Sequence, residues 1–154
     1  MKKLVVLTGL CLLLLSSIVF ASNDRWLEVK SSEKGIISLD TQTISIGKID
    51  KNNSKILACW VKISGISDKT KNSIQDQLRI KYPKRIVNLS NVSEIYWKFN
   101  FDVNNDELKE EAAVYYNEDR KELFRETMKS KWYPIEPDSL DEKIYNLAKK
   151  QLGL

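Results

Sequence analysis

"ELKEEAAVYYNEDRKELFRETM", Glu107 to Met128, is the stretch on which the fold turns. Its glutamate, lysine, leucine and alanine content favours a helix, and propensity on its own leans that way. The competing reading splits it into two strands, Leu108 to Tyr116 and Glu122 to Met128, folded back on each other about "NEDRK". Asn117 supplies turn chemistry, but no Asn-Gly or Asp-Gly pair is present to mark a tight hairpin. Local signals leave the two readings open. One gives a sheet of few strands beside a long helix; the other gives a broad antiparallel sheet.

The segments before it read as strands. "SEIYWKFNFDV", Ser93 to Val103, sets Ile95, Trp97, Phe99, Phe101 and Val103 against Glu94, Tyr96, Lys98, Asn100 and Asp102. That is period two with one aromatic face. Lys55 to Ser64 is apolar on both faces, which predicts a central strand. "WLEVK", from Trp26, alternates as a half-buried strand does, and "GIISLDTQTISI", opened by Gly35, reads as a further β-branched strand. "KIDKNNSK", Lys48 to Lys55, reads as a turn. Between Asp68 and Pro83 the pattern changes: Ile74, Leu78 and Tyr82 fall on one stripe of a short helix near 69–82, which Pro83 stops.

The chain ends on "KWYPIEPDSLDEKIYNLAKK". Pro134 and Pro137 keep the residues before them out of helical geometry, so Trp132 to Pro137 is an extended strap. Asp138 or Ser139 then caps a helix, and Ser139 with Glu142 forms a capping box. Leu140, Ile144, Leu147, Ala148 and Gln151 follow one face, centred on Ile144 and Leu147. A stripe of that kind has to lie on a sheet. Strands together with an amphipathic helix of this kind make the fold class α+β.

The other end of the chain addresses its compartment. Lys2 and Lys3 precede an uncharged run from Leu4 to Ala21, and Val19-Phe20-Ala21 suits a signal peptidase cutting before Ser22. A retained membrane anchor is the competing reading. Cys11 is no lipoprotein anchor, because Leu10 stands where a small residue is wanted. Residues 1–21 are read as a signal peptide and 22–154 as one domain, exported to the periplasm, the cell surface or the medium. Cys59 is then the only mature cysteine and cannot close an intramolecular disulfide. Removing Lys2 and Lys3 from 25 basic residues leaves 23 against 21 acidic ones, so charge points to no nucleic-acid partner.

Chemistry is mostly excluded. The sequence has no histidine, no glycine-rich phosphate loop and no nucleophile elbow. No cofactor or metal is expected. "DVNNDE", Asp102 to Glu107, shares composition with a calcium loop but lacks its glycine and distant glutamate, and reads as a polar turn. Asp138 as a catalytic acid is answered by its place at a helix start. A hydrolase built on carboxylates alone would have little else to use. Trp60, Trp97 and Trp132 either line a ligand groove or fill the sheet–helix interface, and the second reading is preferred.

Taken together, "RWLEV", "SLDTQTI", "CWVKIS" and "WYPIEPDSLDEKIYNLA" resemble the surface-adhesin protein E family over essentially the whole mature chain. The residues that carry the likeness are Trp60, Trp132, Ile135, Pro137, Asp138, Ser139, Glu142 and Tyr145. The resemblance implies the fold, a twisted antiparallel β-sheet with the C-terminal amphipathic helix packed on one face, and tips 107–128 towards the hairpin. It also implies a disulfide at the positions of Val103 and Lys149, which this chain lacks, so packing alone must hold the helix. In function it implies a non-enzymatic binding domain contacting host extracellular-matrix or plasma proteins. Arg79, Lys81, Lys84 and Arg85 of "RIKYPKR" are the candidate contact residues. The alternative is an envelope or periplasmic accessory module that binds a small apolar ligand, in a pocket between sheet and helix, or another envelope protein. Exposed sheet edges leave a homodimer open.

Overall fold

The computed structural model describes residues 24–49, 54–85 and 88–154. The proposed signal peptide lies outside them. Among the described residues eight strands and two helices follow in the order β1 (Trp26–Ser32), β2 (Gly35–Asp40), β3 (Ser45–Ile49), β4 (Ser54–Ser64), α1 (Asp68–Lys81), β5 (Glu94–Asp102), β6 (Glu107–Tyr116), β7 (Glu122–Thr127), β8 (Tyr133–Pro134) and α2 (Leu140–Gln151). The sheet is open and antiparallel, ordered β1-β2-β4-β5-β6-β7. β3 shares one edge of β4 with β2, and β8 shares the outer edge of β6 with β7. The architecture is α+β. No helix among the described residues is long and apolar enough to cross a membrane.

The decisive segment is a hairpin. Its turn is held by Asn117: its carbonyl accepts from Arg120 N at 3.0 Å and its Oδ1 from Lys121 N at 2.8 Å, with Arg120 in the left-handed region at φ 58°. Helix propensity loses because β6 finds partners along both edges and buries Leu108, Ala113, Val114 and Tyr115. β4 sits between β2/β3 and β5 and is apolar on both faces, as its sequence predicts.

"GIISLDTQTISI" is not one strand. The buried Asp40 ends β2: its Oδ1 accepts from Gln42 N at 3.2 Å, and its carbonyl accepts from Thr43 Oγ1 at 3.0 Å. The chain turns there and restarts as β3, which takes in Lys48 and Ile49, two positions read as turn.

Both helices lie on one sheet face. α2 packs over Leu57, Cys59, Phe99 and Phe101, and α1 over the far end, with Leu78 among Ile95, Ala113, Tyr115 and Phe124. Ser139 caps α2, its Oγ accepting from Glu142 N at 3.1 Å, while Glu142 Oε2 accepts from Asp138 N at 2.8 Å. Asp138 itself is left-handed, at φ 59°. The buried stripe of α2 is Ile144, Tyr145 and Ala148; Leu147 is half-buried and Gln151 exposed. The stripe is rotated from the expected one because Tyr145 stacks on Phe101, ring centroids 5.1 Å apart, and its hydroxyl donates to Asp106 Oδ1 at 3.1 Å. Ile135 N donates to the Asp106 carbonyl at 3.0 Å, so strap and helix are tied to one turn. Val103 packs at the edge of this core and Lys149 Nζ lies 4.8 Å from the Tyr145 ring centroid.

Candidate functional site

Among the described residues a concavity opens on each face of the sheet. The first is on the face that neither helix packs against. Alternation along the strands brings Trp26, Trp60, Tyr96 and Tyr116 to that side, interleaved with polar residues. Trp26 meets Tyr96 edge-on at 5.6 Å, and Tyr96 meets Tyr116 at 5.3 Å. Lys62 Nζ stands 4.3 Å from the Trp26 ring centroid and the Arg25 guanidinium 5.2 Å from it, distances at which a cation is drawn to the π-face. Arg25 Nε donates to both oxygens of Asp40 at 3.1 Å and Nη2 to Oδ2 at 2.7 Å, a fork that fixes both groups. The Tyr96 hydroxyl donates to Glu94 Oε2 at 2.9 Å; burial first, then that carboxylate, pushes its pKa to about 12. A cavity of about 420 Å³ opens here, with Trp60, Tyr96 and Tyr116 among its walls and Arg25, Arg120 and Arg125 around it.

Trp60 is therefore on the side away from the helices, a correction to its expected place in the sheet–helix interface. The period of two explains it: Cys59 and Val61 face α2, so Trp60 cannot. Trp97 does face the helices, and Trp132 is half-buried on the strap with Lys109 Nζ 6.0 Å from its ring centroid.

The second concavity, about 400 Å³, lies between α1 and the sheet. Ile37, Ile63, Ile66, Ile74, Ile95 and Leu78 make its apolar wall, with Trp97 and Met128. Lys81, Glu126 and Glu110 stand at one end and Lys34 at the other. The Glu126 side chain is only 3% exposed; Lys81 Nζ is hydrogen-bonded to its Oε1, which also accepts from Tyr82 Oη at 3.0 Å. That bond raises the Lys81 pKa. Burial, then the carboxylates of Asp141 and Glu126, raise that of Glu110. Among the described residues Trp97 Nε1 is a buried donor without a well-formed hydrogen bond, although the Tyr115 hydroxyl lies near it.

No family model matches the chain, and no curated protein matches it in sequence. Two solved structures are similar to it. One is protein E from non-typeable Haemophilus influenzae, 13% identical, with a TM-score of 0.44 over 82% of this chain and 74% of that one. The other, also Haemophilus influenzae protein E, is 12% identical, with a TM-score of 0.46 over 85% and 86%. Likeness at that level bears on neither site nor partner, so the geometry has to carry the functional argument.

The four basic residues singled out by sequence differ in their surroundings. Arg79 and Lys84 are exposed. Lys81 is tied to Glu126, and Arg85 lies 4.3 Å from the Phe124 ring centroid while its Nη1 donates to the Arg125 carbonyl at 3.3 Å. Arg85 thereby joins the end of α1 to the strand that carries Arg125 on the opposite face. Arg25, Asp40, Tyr96, Tyr116 and Arg120 were not singled out. Their signal was there in part, in the polar positions of the period-two strands, but which strand neighbours which is not written locally.

Among the described residues no group of three or more carboxylate or cysteine side chains is placed to hold a metal ion. Asp102 is buried, which disfavours its charge, yet hydrogen bonds from Asn105 Nδ2 at 2.9 Å and Asn104 N at 2.9 Å outweigh burial and lower its pKa. Its oxygens serve the turn. Cys59 is fully buried, and burial pushes its thiol to about 12. A thiol in that state is a poor nucleophile at neutral pH.

Proposed function

We propose that this chain is an exported, non-enzymatic binding domain of the surface-adhesin protein E type, comprising residues 22–154 after loss of 1–21. It meets an extracellular-matrix or plasma protein with the sheet face that the helices leave free. The observation that carries this reading is the interleaving of Trp26, Trp60, Tyr96 and Tyr116 with Arg25, Lys62 and Arg120 on that face. Aromatic rings beside arginines are what protein interfaces use as anchors, since both bury large contact area and keep a polar handle. Arg79 and Lys84 extend the contact around the β7 edge, by way of Arg85 and Arg125.

Binding of the exported protein to a panel of immobilised matrix and plasma proteins tests this. Tyr116→Ala with Trp60→Ala, checked for folding by near-ultraviolet circular dichroism, should weaken any binding by about thirtyfold, the effect of an aromatic anchor worth about 2 kcal/mol. Reversing the charge of the exposed Arg79 and Lys84 should weaken it further. Binding that neither change alters would refute the assignment.

A second reading has its own support. The cavity under α1 suits the accessory-module alternative, in which a small apolar ligand sits between sheet and helix.

A further inference from the structure

We infer that the cavity under α1 receives an elongated amphipathic cation, an unbranched apolar chain ending in an ammonium group, with Glu110 as the partner of the head. This rests on the small-ligand reading above and specifies its chemistry.

Shape comes first. The α1 residues along the cavity run from Thr70 through Ile74, Gln77 and Leu78 to Lys81. At about 1.5 Å per residue that is roughly 16 Å of helix, so the space is long rather than round. Its volume of about 400 Å³ lies within the span of about 300–1,000 Å³ usual for small-molecule sites. Isoleucine side chains from β2, β4, β5 and α1 line its length, and an apolar chain laid there leaves water without giving up hydrogen bonds.

Charge then selects the head. Lys34, at one end, is exposed on the β1–β2 turn, where water screens it and an ion pair gains little. The other end holds Glu126, Glu110 and Lys81. Lys81 is spent on Glu126, which is buried and also takes the Tyr82 hydroxyl. Glu110 is half-buried, and it takes part in no ion pair among the described residues. Its carboxyl is crowded by Asp141 and Glu126 more than Lys81 and the Tyr133 hydroxyl beside it relieve. One lysine among these acids leaves the end short of positive charge. An ammonium arriving beside Glu110 relieves that shortage, whereas a carboxylate head would add to the repulsion.

The test is calorimetric titration of the folded protein at neutral pH with dodecylammonium and dodecanoate, each below its micelle concentration, and with dodecanol below its solubility limit. Dodecylammonium should bind about tenfold more tightly than dodecanoate, with dodecanol between them. Glu110→Gln should bring the three affinities together without abolishing binding. Fluorescence change on binding should be lost in Trp97→Phe, and binding should be blocked in Gln77→Trp, whose new ring enters the groove from an exposed rim position that tolerates it. Equal affinities in the wild type, or a preference for dodecanoate, would overturn the choice of head while leaving the small-ligand reading intact. No binding by any of the three, or binding that Gln77→Trp does not touch, would overturn both.

Discussion

Lys81 looks like a surface lysine by exposure, its side chain 57% accessible, yet its partner Glu126 is 3% accessible and sits inside the α1 interface. Replacing Lys81 with Met keeps most of the apolar stem and removes the ammonium. Glu126 would then keep one donor, the Tyr82 hydroxyl at 3.0 Å. A buried group that loses a partner costs about 1–3 kcal/mol, more when it is charged, and the open side of this pair lets water recover some of that loss. The expected destabilisation is about 2 kcal/mol. Urea unfolding followed by circular dichroism should show a lower midpoint at unchanged slope. Adding Glu126→Gln to Lys81→Met removes the stranded charge, and the double variant should regain about half of the loss. The pH dependence follows from the raised Lys81 pKa: the contribution is whole below the ordinary lysine value and disappears as pH climbs through the folded one. A Lys81→Met midpoint equal to wild type, with no gain from the second change, would refute the structural role and return Lys81 to the free basic patch.

Ile144→Ala, at the centre of the α2 stripe, should cost about 2–5 kcal/mol in the same assay, and Leu147→Ala less, because Leu147 is half-buried. Asp138→Gly, at φ 59°, should raise stability by about 0.5–1 kcal/mol, seen as a higher thermal midpoint. Cys59 should resist a thiol reagent in the native protein and react once urea unfolds it. Its folded pKa of about 12 lies above that of an unfolded cysteine, so it favours the fold fully below about pH 8.5 and loses that contribution as pH rises towards 12. Cys59→Ala should flatten that part of the alkaline limb, leaving the parts due to Lys81 and to Tyr82, Tyr96, Tyr115, Tyr133 and Tyr145, whose pKa values are raised as well.

Periodicity carried most of the fold. The aromatic face of β5, the two-faced apolar β4 and the capping box at Ser139 were all readable, because each depends on residues a few positions apart. The hairpin at 107–128 was not readable locally: its helix-forming residues become strand only through pairing with β5 and through the Asn117 turn. Tyr145 was missed as core because its stacking partner, Phe101, is distant in sequence. The break at Asp40 was missed for a similar reason, since Arg25 holds that carboxylate from β1's approach. The candidate site was the least legible. Its floor takes alternate residues of separate strands, and only their lateral order makes Trp60, Tyr96 and Tyr116 neighbours.

The most direct test of the binding-domain account is protease shaving of intact bacterial cells that express the protein, followed by immunoblotting beside periplasmic and surface controls. An exposed partner-binding domain predicts that the signal disappears along with the surface control while the periplasmic control survives. Full protection of the protein under those conditions would contradict a role outside the cell and confine it to the envelope.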